Sequence, residues 1–224
     1  MIVISTDSGS DLTKAYAQAN GVYLAPMYVI MDGVEYKDGH FPVEKIFEYY
    51  DRTKKIPSTS GVGVSDYTQM FEQIQAEHPG CTVLHISYSA VTTVSYQNAM
   101  IAREHFENIY VMDAKNVSVG LGLLVRRAVE LKEQYEDGQV EQLIARLEDV
   151  ARRLRFSFIP DTLDYLLAGG RISNVAYIGA NLLRLKPLIK LDNGYLVAAK
   201  KYRGRMRQIL SRCWADFMAE GPYE

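Results

Sequence analysis

Short β-branched runs alternating with helical patterns of about ten or more residues constrain this chain more than any other feature. Ile2–Ser5 enters a polar loop, Thr6-Asp7-Ser8-Gly9-Ser10-Asp11, ahead of a helix that ends near Asn20-Gly21. Cys81–Ser87 reads as a buried strand, and its loop, Tyr88–Thr92, opens a helix running through about Phe106. Asn108–Met112 repeats the order, with Asp113 and then a helix from near Val117 to Tyr135. Parallel neighbours need crossovers of this length, and strands covered on both faces read as nearly continuous apolar runs. The pattern predicts an α/β fold: an N-terminal three-layer domain with a mainly parallel sheet and its working loops at the strands' carboxyl ends.

The intervening segments read more locally. Val22–Met31 and Val34–Tyr36 flank Asp32-Gly33, a hairpin signal. Pro42 suits the first turn of a helix through Tyr50, Ile56–Gly61 reads as a loop, and Ser65 can cap a helix over Asp66–Glu77. Gly138 precedes a helical pattern over Val140–Leu154, and Arg155–Ile159 is the next strand. From Pro160 to Arg205 the chain predicts a helix capped by Asp161 or Thr162, with Leu163, Leu166 and Leu167 on its apolar face. Gly169-Gly170 stops that helix, Arg171 occupies the turn, and Ser173 can cap a second helix carrying Ile178, Leu182 and Leu183. Two apolar runs, Leu185–Leu191 and Tyr195–Ala199, then flank a hairpin turn at Asp192–Gly194. A boundary near Phe158–Asp161 divides residues 1–158 from a smaller α/β C-terminal domain, 159–224.

Composition narrows the function classes. A chain of 224 residues, 48% apolar, suits one large domain or two small ones with a real core. A net charge of −2 supplies no general attraction to nucleic acid or anionic membrane. The basic cluster Lys200, Lys201, Arg203, Arg205, Arg207 and Arg212 reads as the exposed face of a final helix, since it lacks interleaved aromatics. Cys81 and Cys213 form neither a disulfide framework nor a metal spacing, which is the usage of a reducing cytoplasm. The opening MIVISTDSGSD lacks the basic flank and apolar length of a signal peptide, and no run approaches the ~20 apolar residues of a membrane span. The four histidines show no metal spacing, and His85, within a strand, reads as a satisfied core side chain. Gly120-Leu121-Gly122 reads as close helix packing, not a dinucleotide loop.

Chemistry gathers in two hydroxyl-rich loops that lead into helices, Ser58-Thr59-Ser60-Gly61 and Ser87-Tyr88-Ser89-Ala90-Val91-Thr92-Thr93-Val94-Ser95. Hydroxyls beside free helix N–H groups suit an anion, because those groups point outward and the dipole favours negative charge. Ordinary N-capping accounts for either loop alone. Two together at one sheet edge, with the Gly169-Gly170-Arg171 turn, point to a shared carboxylate or phosphate site. Two functions remain open at this stage: a binding protein without catalysis, or a small hydrolase or phosphate-handling enzyme using Asp7, Ser8 and Thr59.

The wording of several segments resembles one family. TLDYLLAGGRIS…LLRLKPLI is similar to the signature of the DegV family of bacterial fatty-acid-binding proteins, and TDSGSDL matches that family's usual opening. The resemblance implies that a long-chain fatty acid lies between two α/β domains. It also implies that a partner fatty-acid kinase phosphorylates the bound carboxylate for phospholipid synthesis, with no cofactor or metal on this chain and transient membrane contact for lipid exchange. Pro57-Ser58-Thr59-Ser60 resembles the family's P-T-T-S-Q-P segment, which places a carboxylate bond on Thr59. ISYSAVTTVSYQNA resembles a segment ending S-G-T-Y-Q-S-A, and alignment through Tyr96-Gln97 puts the second carboxylate ligand on Thr93. Asp113, Ser118, Gly120 and Gly122 match a third segment, so Asp113 and Ser118, with Ser60, are expected to shape the site. Arg171 and Arg203 are expected to dock the kinase.

Departures from the family pattern are concentrated at the site. Gly61 stands where Gln is usual, Val62 replaces Pro, and Val94 replaces a Gly, where a β-branched side chain resists positive φ. Ala114 removes a further hydroxyl. Family members continue beyond the position of Glu224, completing the second domain and supplying a His near the carboxylate. The second domain is therefore expected to be incomplete here.

Overall fold

The computed structural model describes residues 1–171 and 185–221. The expected helix beginning at Ser173, with Ile178, Leu182 and Leu183, lies outside the described residues. The chain divides into two compact units, Met1–Arg155 with Asn193–Tyr195, and Phe156–Asp192 with Leu196–Glu224.

In the first unit the strands are β1 (Ile2–Asp7), β2 (Tyr23–Ala25), β3 (Tyr28–Met31), β4 (Val34–Lys37), β5 (Ser58–Ser60), β6 (Thr82–Ser87) and β7 (Ile109–Asp113). The helices are α1 (Lys14–Ala19), α2 (Glu44–Thr53), α3 (Val64–Glu77), α4 (Ser95–Arg103), α5 (Ser118–Leu131) and α6 (Val140–Arg153). A parallel sheet runs in the order β2-β1-β6-β7, and a small antiparallel sheet runs β4-β3-β5. Strand side chains alternate between faces. Ile2, Ile4, Leu84 and Ile86 therefore pack with Leu121, Leu124 and Leu147 of α5 and α6. Val3 and Val83 turn to the other face, against Tyr67, Phe71 and Ile74 of α3 and Ala99 and Ala102 of α4. Two apolar layers enclose the sheet, and each fully buried Ile, Leu or Phe contributes about 1.5–3 kcal/mol relative to exposure. The three-layer α/β arrangement expected from the sequence is the one observed.

Four local expectations change, one of them in the second unit, where Lys200, Lys201 and Arg203 of the basic cluster stand on the strand Tyr195–Arg203 and not on the final helix, which begins at Met206. The run Val22–Met31 divides, with Tyr23–Ala25 joining the parallel sheet and Tyr28–Met31 the antiparallel one. Ser58–Ser60, expected as loop, is a strand paired with β3, with Thr59 opposite Val29. Its polar side chains hid it from a reading based on apolar alternation, because the pairing is made by the main chain. Gly63, not Ser65, caps α3, where Asp66 Oδ2 accepts the Gly63 amide at 3.3 Å. The β3–β4 hairpin is as expected, and Asp32 and Gly33, at φ 52° and 78°, supply the two left-handed residues its tight turn needs.

The second unit holds β8 (Ser157–Phe158), α7 (Asp164–Ala168), β9 (Leu185–Asp192), β10 (Tyr195–Arg203) and α8 (Met206–Ala219), with sheet order β10-β9-β8. Thr162 Oγ1 accepts the Asp164 amide at 3.2 Å at the start of α7. Gly170, at φ 70°, ends it as a Schellman stop. The Arg171 amide reaches the Leu166 carbonyl at 3.1 Å and the Gly170 amide reaches that of Leu167 at 3.0 Å. Asn193 and Gly194, at φ 48° and 86°, make the turn between β9 and β10. Ile189, fully buried with Leu163, Phe158 and Leu196 around it, and Ile209 with Leu188 and Tyr202 form two small cores.

Gly122 shows why the glycine pair in α5 exists. A Cβ there would stand 2.4 Å from the Ser10 carbonyl oxygen, so the helix meets the β1–α1 loop backbone directly. Gly122→Ala should cost about 1–3 kcal/mol in urea unfolding through overpacking. An unchanged midpoint would mean that this contact does not hold the loop.

Candidate functional site

Alternation along β1 and β6 carries a polar seam towards the carboxyl ends of the strands on the α3–α4 face. Ser5, Asp7, His85 and Ser87 lie there, all fully buried. A buried carboxylate is stable only when its lone pairs are occupied. Asp7 Oδ1 accepts from the Tyr67 hydroxyl, and Oδ2 accepts from the Tyr88 amide at 2.7 Å and Ser87 Oγ at 3.1 Å. His85 Nε2 lies 3.4 Å from Oδ1, an ion-pair distance without a full hydrogen bond, and its Nδ1 lies 3.0 Å from Ser5 Oγ. Burial pushes the Asp7 carboxyl up, but the adjacent imidazole, the Tyr67 hydroxyl and the Tyr88 amide outweigh it and hold the carboxyl below its ordinary value. Burial and the Asp7 charge drive the Tyr67 phenol well above its own.

Ser5, His85 and Asp7 superficially suggest a nucleophilic triad, yet all three are buried from solvent. Ser8 is also committed: its hydroxyl donates to Asp38 Oδ2 at 2.8 Å and accepts the Met27 amide at 3.0 Å. Neither Asp7 nor Ser8 offers an open base or nucleophile. Among the described residues, no three His, Cys, Asp or Glu side chains gather in a metal-holding group.

The two hydroxyl-rich segments meet beside this seam. Thr93 Oγ1 and Ser95 Oγ lie 3.1 Å apart, and the Ser95 amide reaches Thr93 Oγ1 at 3.3 Å. A Cβ built on Gly61 would stand 2.6 Å from Thr93 Oγ1 and 2.7 Å from Ser95 Oγ. Gly61 therefore lies directly against that hydroxyl pair, two residues beyond Thr59. Thr59 is exposed on β5, and Ser60 Oγ donates to the Gly61 carbonyl at 3.1 Å. Tyr28 of β3 donates to Asp66 Oδ1 at 2.7 Å, joining this small sheet to the start of α3; burial, then the Asp66 carboxylate, pushes its phenol up to about 12.

Asp113 and Ser118 hold the neighbouring loops. Asp113 Oδ1 accepts from the Lys115 amide at 2.8 Å and the Ala90 amide at 3.2 Å, linking the β6–α4 and β7–α5 loops. Ser118, at the left-handed φ of 52°, donates to Asp11 and links α5 to the β1–α1 loop. Val94, where a Gly is usual, has a right-handed backbone, at φ −78° and ψ −5°, so the β-branch imposes no strain there. In the second unit, Arg171 is exposed and turns its guanidinium back onto the Gly169 carbonyl. Arg203 is exposed at the end of β10, and its carbonyl accepts from Arg212 Nη2 at 2.6 Å.

Sequence reasoning did not single out Tyr67, Ser95 or Asn98. Asn98 Nδ2 donates to the Val62 carbonyl at 2.8 Å, and Ser95 Oγ accepts the Val62 amide at 3.1 Å. The signal for Ser95 was present, as a hydroxyl at the first turn of α4, but it was indistinguishable from a cap.

The chain is similar to several known proteins. A family model described as DegV, an uncharacterised protein family, matches residues 1–216. A DegV domain-containing protein of Deinococcus radiodurans is 34% identical over 210 residues, 93% of this chain and 73% of that protein. Among solved structures, a DegV family protein from Thermus thermophilus described for fatty acid binding is 31% identical, with a TM-score of 0.85 over 98% of this chain and 78% of that one. A stearic acid-binding protein from Eubacterium ventriosum is 27% identical, with a TM-score of 0.82 over 97% of this chain and 78% of that one.

Asp7 gives the site a pH signature. Its folded pKa is depressed below the ordinary 3.8, so its stabilisation is complete above that value and drains away as pH falls through it towards the folded pKa. Asp7→Asn turns an NH2 towards a hydroxyl or amide that also donates, and should cost about 2–5 kcal/mol at neutral pH. Urea midpoints between neutral and acid pH should fall less steeply for the variant than for the wild type. Equal slopes would remove Asp7 from the acid response.

Proposed function

This chain belongs to the DegV family, and on that footing we propose that it binds a long-chain fatty acid and presents the carboxylate to a partner kinase. The observation that carries this reading is the meeting of Thr93 and Ser95 with Gly61, just beyond Thr59, at an edge made of hydroxyls and amides. It is supported by the likeness to the Thermus thermophilus fatty-acid-binding protein. Thr59 and Thr93 bond the carboxylate, while Ser60, Asp113 and Ser118 hold the loops around it. Exposed Val91, Val94, Val119 and Leu123 on the neighbouring loops and the start of α5 offer apolar surface for the first methylenes.

The energetics divide by chemistry. Each buried methylene contributes about 0.8 kcal/mol gross, so a long tail supplies most of the affinity before immobilisation is subtracted. Bonds to the carboxylate contribute orientation and select an acid over other lipid ends. The chain itself breaks no bond in this reading. A fatty-acid kinase carries the ATP and forms the acyl phosphate that enters phospholipid synthesis. Residues 1–158 hold the carboxylate end, and 159–224 form the second domain. The setting is a bacterial cytoplasm, with brief membrane contact for lipid exchange; no described helix is long and apolar enough to cross a membrane.

Organic extraction of the purified protein followed by mass spectrometry should yield stoichiometric fatty acid. Thr59→Val and Thr93→Val keep shape and delete hydroxyls, so each should weaken fatty-acid binding about ten-fold or more while sparing the matching alcohol. Equal losses for acid and alcohol would make these threonines structural. For docking, Arg171→Glu or Arg203→Glu should leave lipid bound but slow association with the kinase, because rim charges act on the encounter rate. Wild-type association should itself weaken as added salt brings the Debye length below about 10 Å. An emptied lipid site in Arg171→Glu would assign that residue to the scaffold.

A further inference from the structure

Two side chains of α4 grip the main chain of one residue in the facing segment, on both sides of its Cα. Ser95 Oγ accepts the Val62 amide at 3.1 Å, and Asn98 Nδ2 donates to the Val62 carbonyl at 2.8 Å. Val62 and Ser95 are both fully buried, so water does not replace a lost bond and the orphaned group bears the full desolvation cost. Val62 follows Thr59 by three residues, and the same Ser95 hydroxyl lies 3.1 Å from Thr93 Oγ1. One serine thus touches both proposed carboxylate-binding segments.

We infer that Ser95 and Asn98 are positioning residues that fix the reach of Thr59 relative to Thr93, and that Ser95 also sets the direction of the Thr93 proton. This rests on the fatty-acid reading. A serine hydroxyl has one proton and two lone pairs. The Val62 amide takes one lone pair, which leaves the hydroxyl its proton and one further lone pair for its neighbours Thr93 and Tyr67. The Ser95 amide already donates to Thr93 Oγ1 at 3.3 Å. When the Ser95 proton is also given to Thr93, both acceptor positions of Thr93 are filled from behind and its own proton is free to face a ligand. A carboxylate only accepts, so it depends on that outward proton. An alcohol donates as well as accepts, and depends on it less. In that arrangement Ser95 governs the preference for acid over alcohol, and Asn98 holds the carbonyl of the same residue, in the next peptide, so that the grip does not slide.

The test uses the full chain with palmitic acid and cetyl alcohol as probes, together with amide hydrogen exchange at Val62. In Ser95→Ala the Val62 amide should exchange about ten-fold faster, palmitic acid should bind about ten-fold more weakly, and cetyl alcohol should change by less than about two-fold. Ser95→Thr, which keeps the hydroxyl, should restore all three. Unchanged Val62 exchange in folded Ser95→Ala, or equal loss of acid and alcohol, overturns the inference. Should Ser95→Ala fail to fold, Asn98→Ala must show the faster Val62 exchange and a reduced acid preference, or the grip is withdrawn. A wild type that binds neither probe defeats the fatty-acid reading, while the exchange measurement still decides whether the grip exists.

Discussion

Asp7 carries a full negative charge at the end of a buried strand, and such a charge is tolerated only where every lone pair is answered. The answers come from three groups at two places in the chain: the Tyr67 hydroxyl of α3, and the Ser87 hydroxyl and Tyr88 amide at the end of β6. Meeting that requirement joins the first strand, the central strand and one helix at a single point. It also fixes where β6 ends, because the Tyr88 amide must turn to Asp7 instead of continuing a ladder. The loop that follows, from Tyr88 to Ser95, starts from that fixed point. The proposed carboxylate site is therefore built upon a polar knot, while the apolar layers above and below the sheet supply the bulk of the stability.

A site of hydroxyls and amides differs in consequence from one of lysines or arginines. Neutral donors cancel little of a bound carboxylate's charge, so in the proposed function its oxygen keeps the nucleophilicity that transfer of a phosphoryl group requires. They also bond over a narrow range of distance and angle, which places the burden on positioning. The Asp7 charge below the site would oppose a bound anion if it were bare. Its hydrogen bonds turn it inward and leave the Tyr67 phenol, with its raised pKa, as a neutral group near Ser95. Selectivity then depends on geometry more than on field, and the grip on Val62 belongs to the same economy.

How much of this was readable in the sequence depends on which level of physics writes the signal. The parallel strands were legible because burial on both faces demands apolar runs. Asp32-Gly33 and Asn193-Gly194 were legible because only a few residues accept left-handed φ, and Gly169-Gly170 announced its helix stop for the same reason. Strand β5 was not, since Ser58-Thr59-Ser60 pairs with β3 through main-chain groups that every sequence possesses. The division between β2 and β3 was equally hidden, because both halves of that run are apolar and the switch of sheet is decided by tertiary pairing. Ser95 and Asn98 read as a helix cap and a helix interior; their partner, the main chain of Val62 thirty-three or more positions away, leaves no trace in local composition.

At Gly61 a departure from the family pattern has a physical meaning in the packing around it. The sequence resemblance places a glutamine there and a serine at the position of Thr93, so two changes stand out separately. In space they are one, because Thr93 Oγ1 occupies the room that a Cβ on residue 61 would need, 2.6 Å from it. Without a side chain at 61, a bulkier hydroxyl residue at 93 can turn its oxygen towards Ser95 and keep its methyl elsewhere. A larger residue at 61 would force that oxygen away and break its contact with the serine that grips Val62. The missing side chain at one position and the hydroxyl at the other are thus coupled through one packing contact.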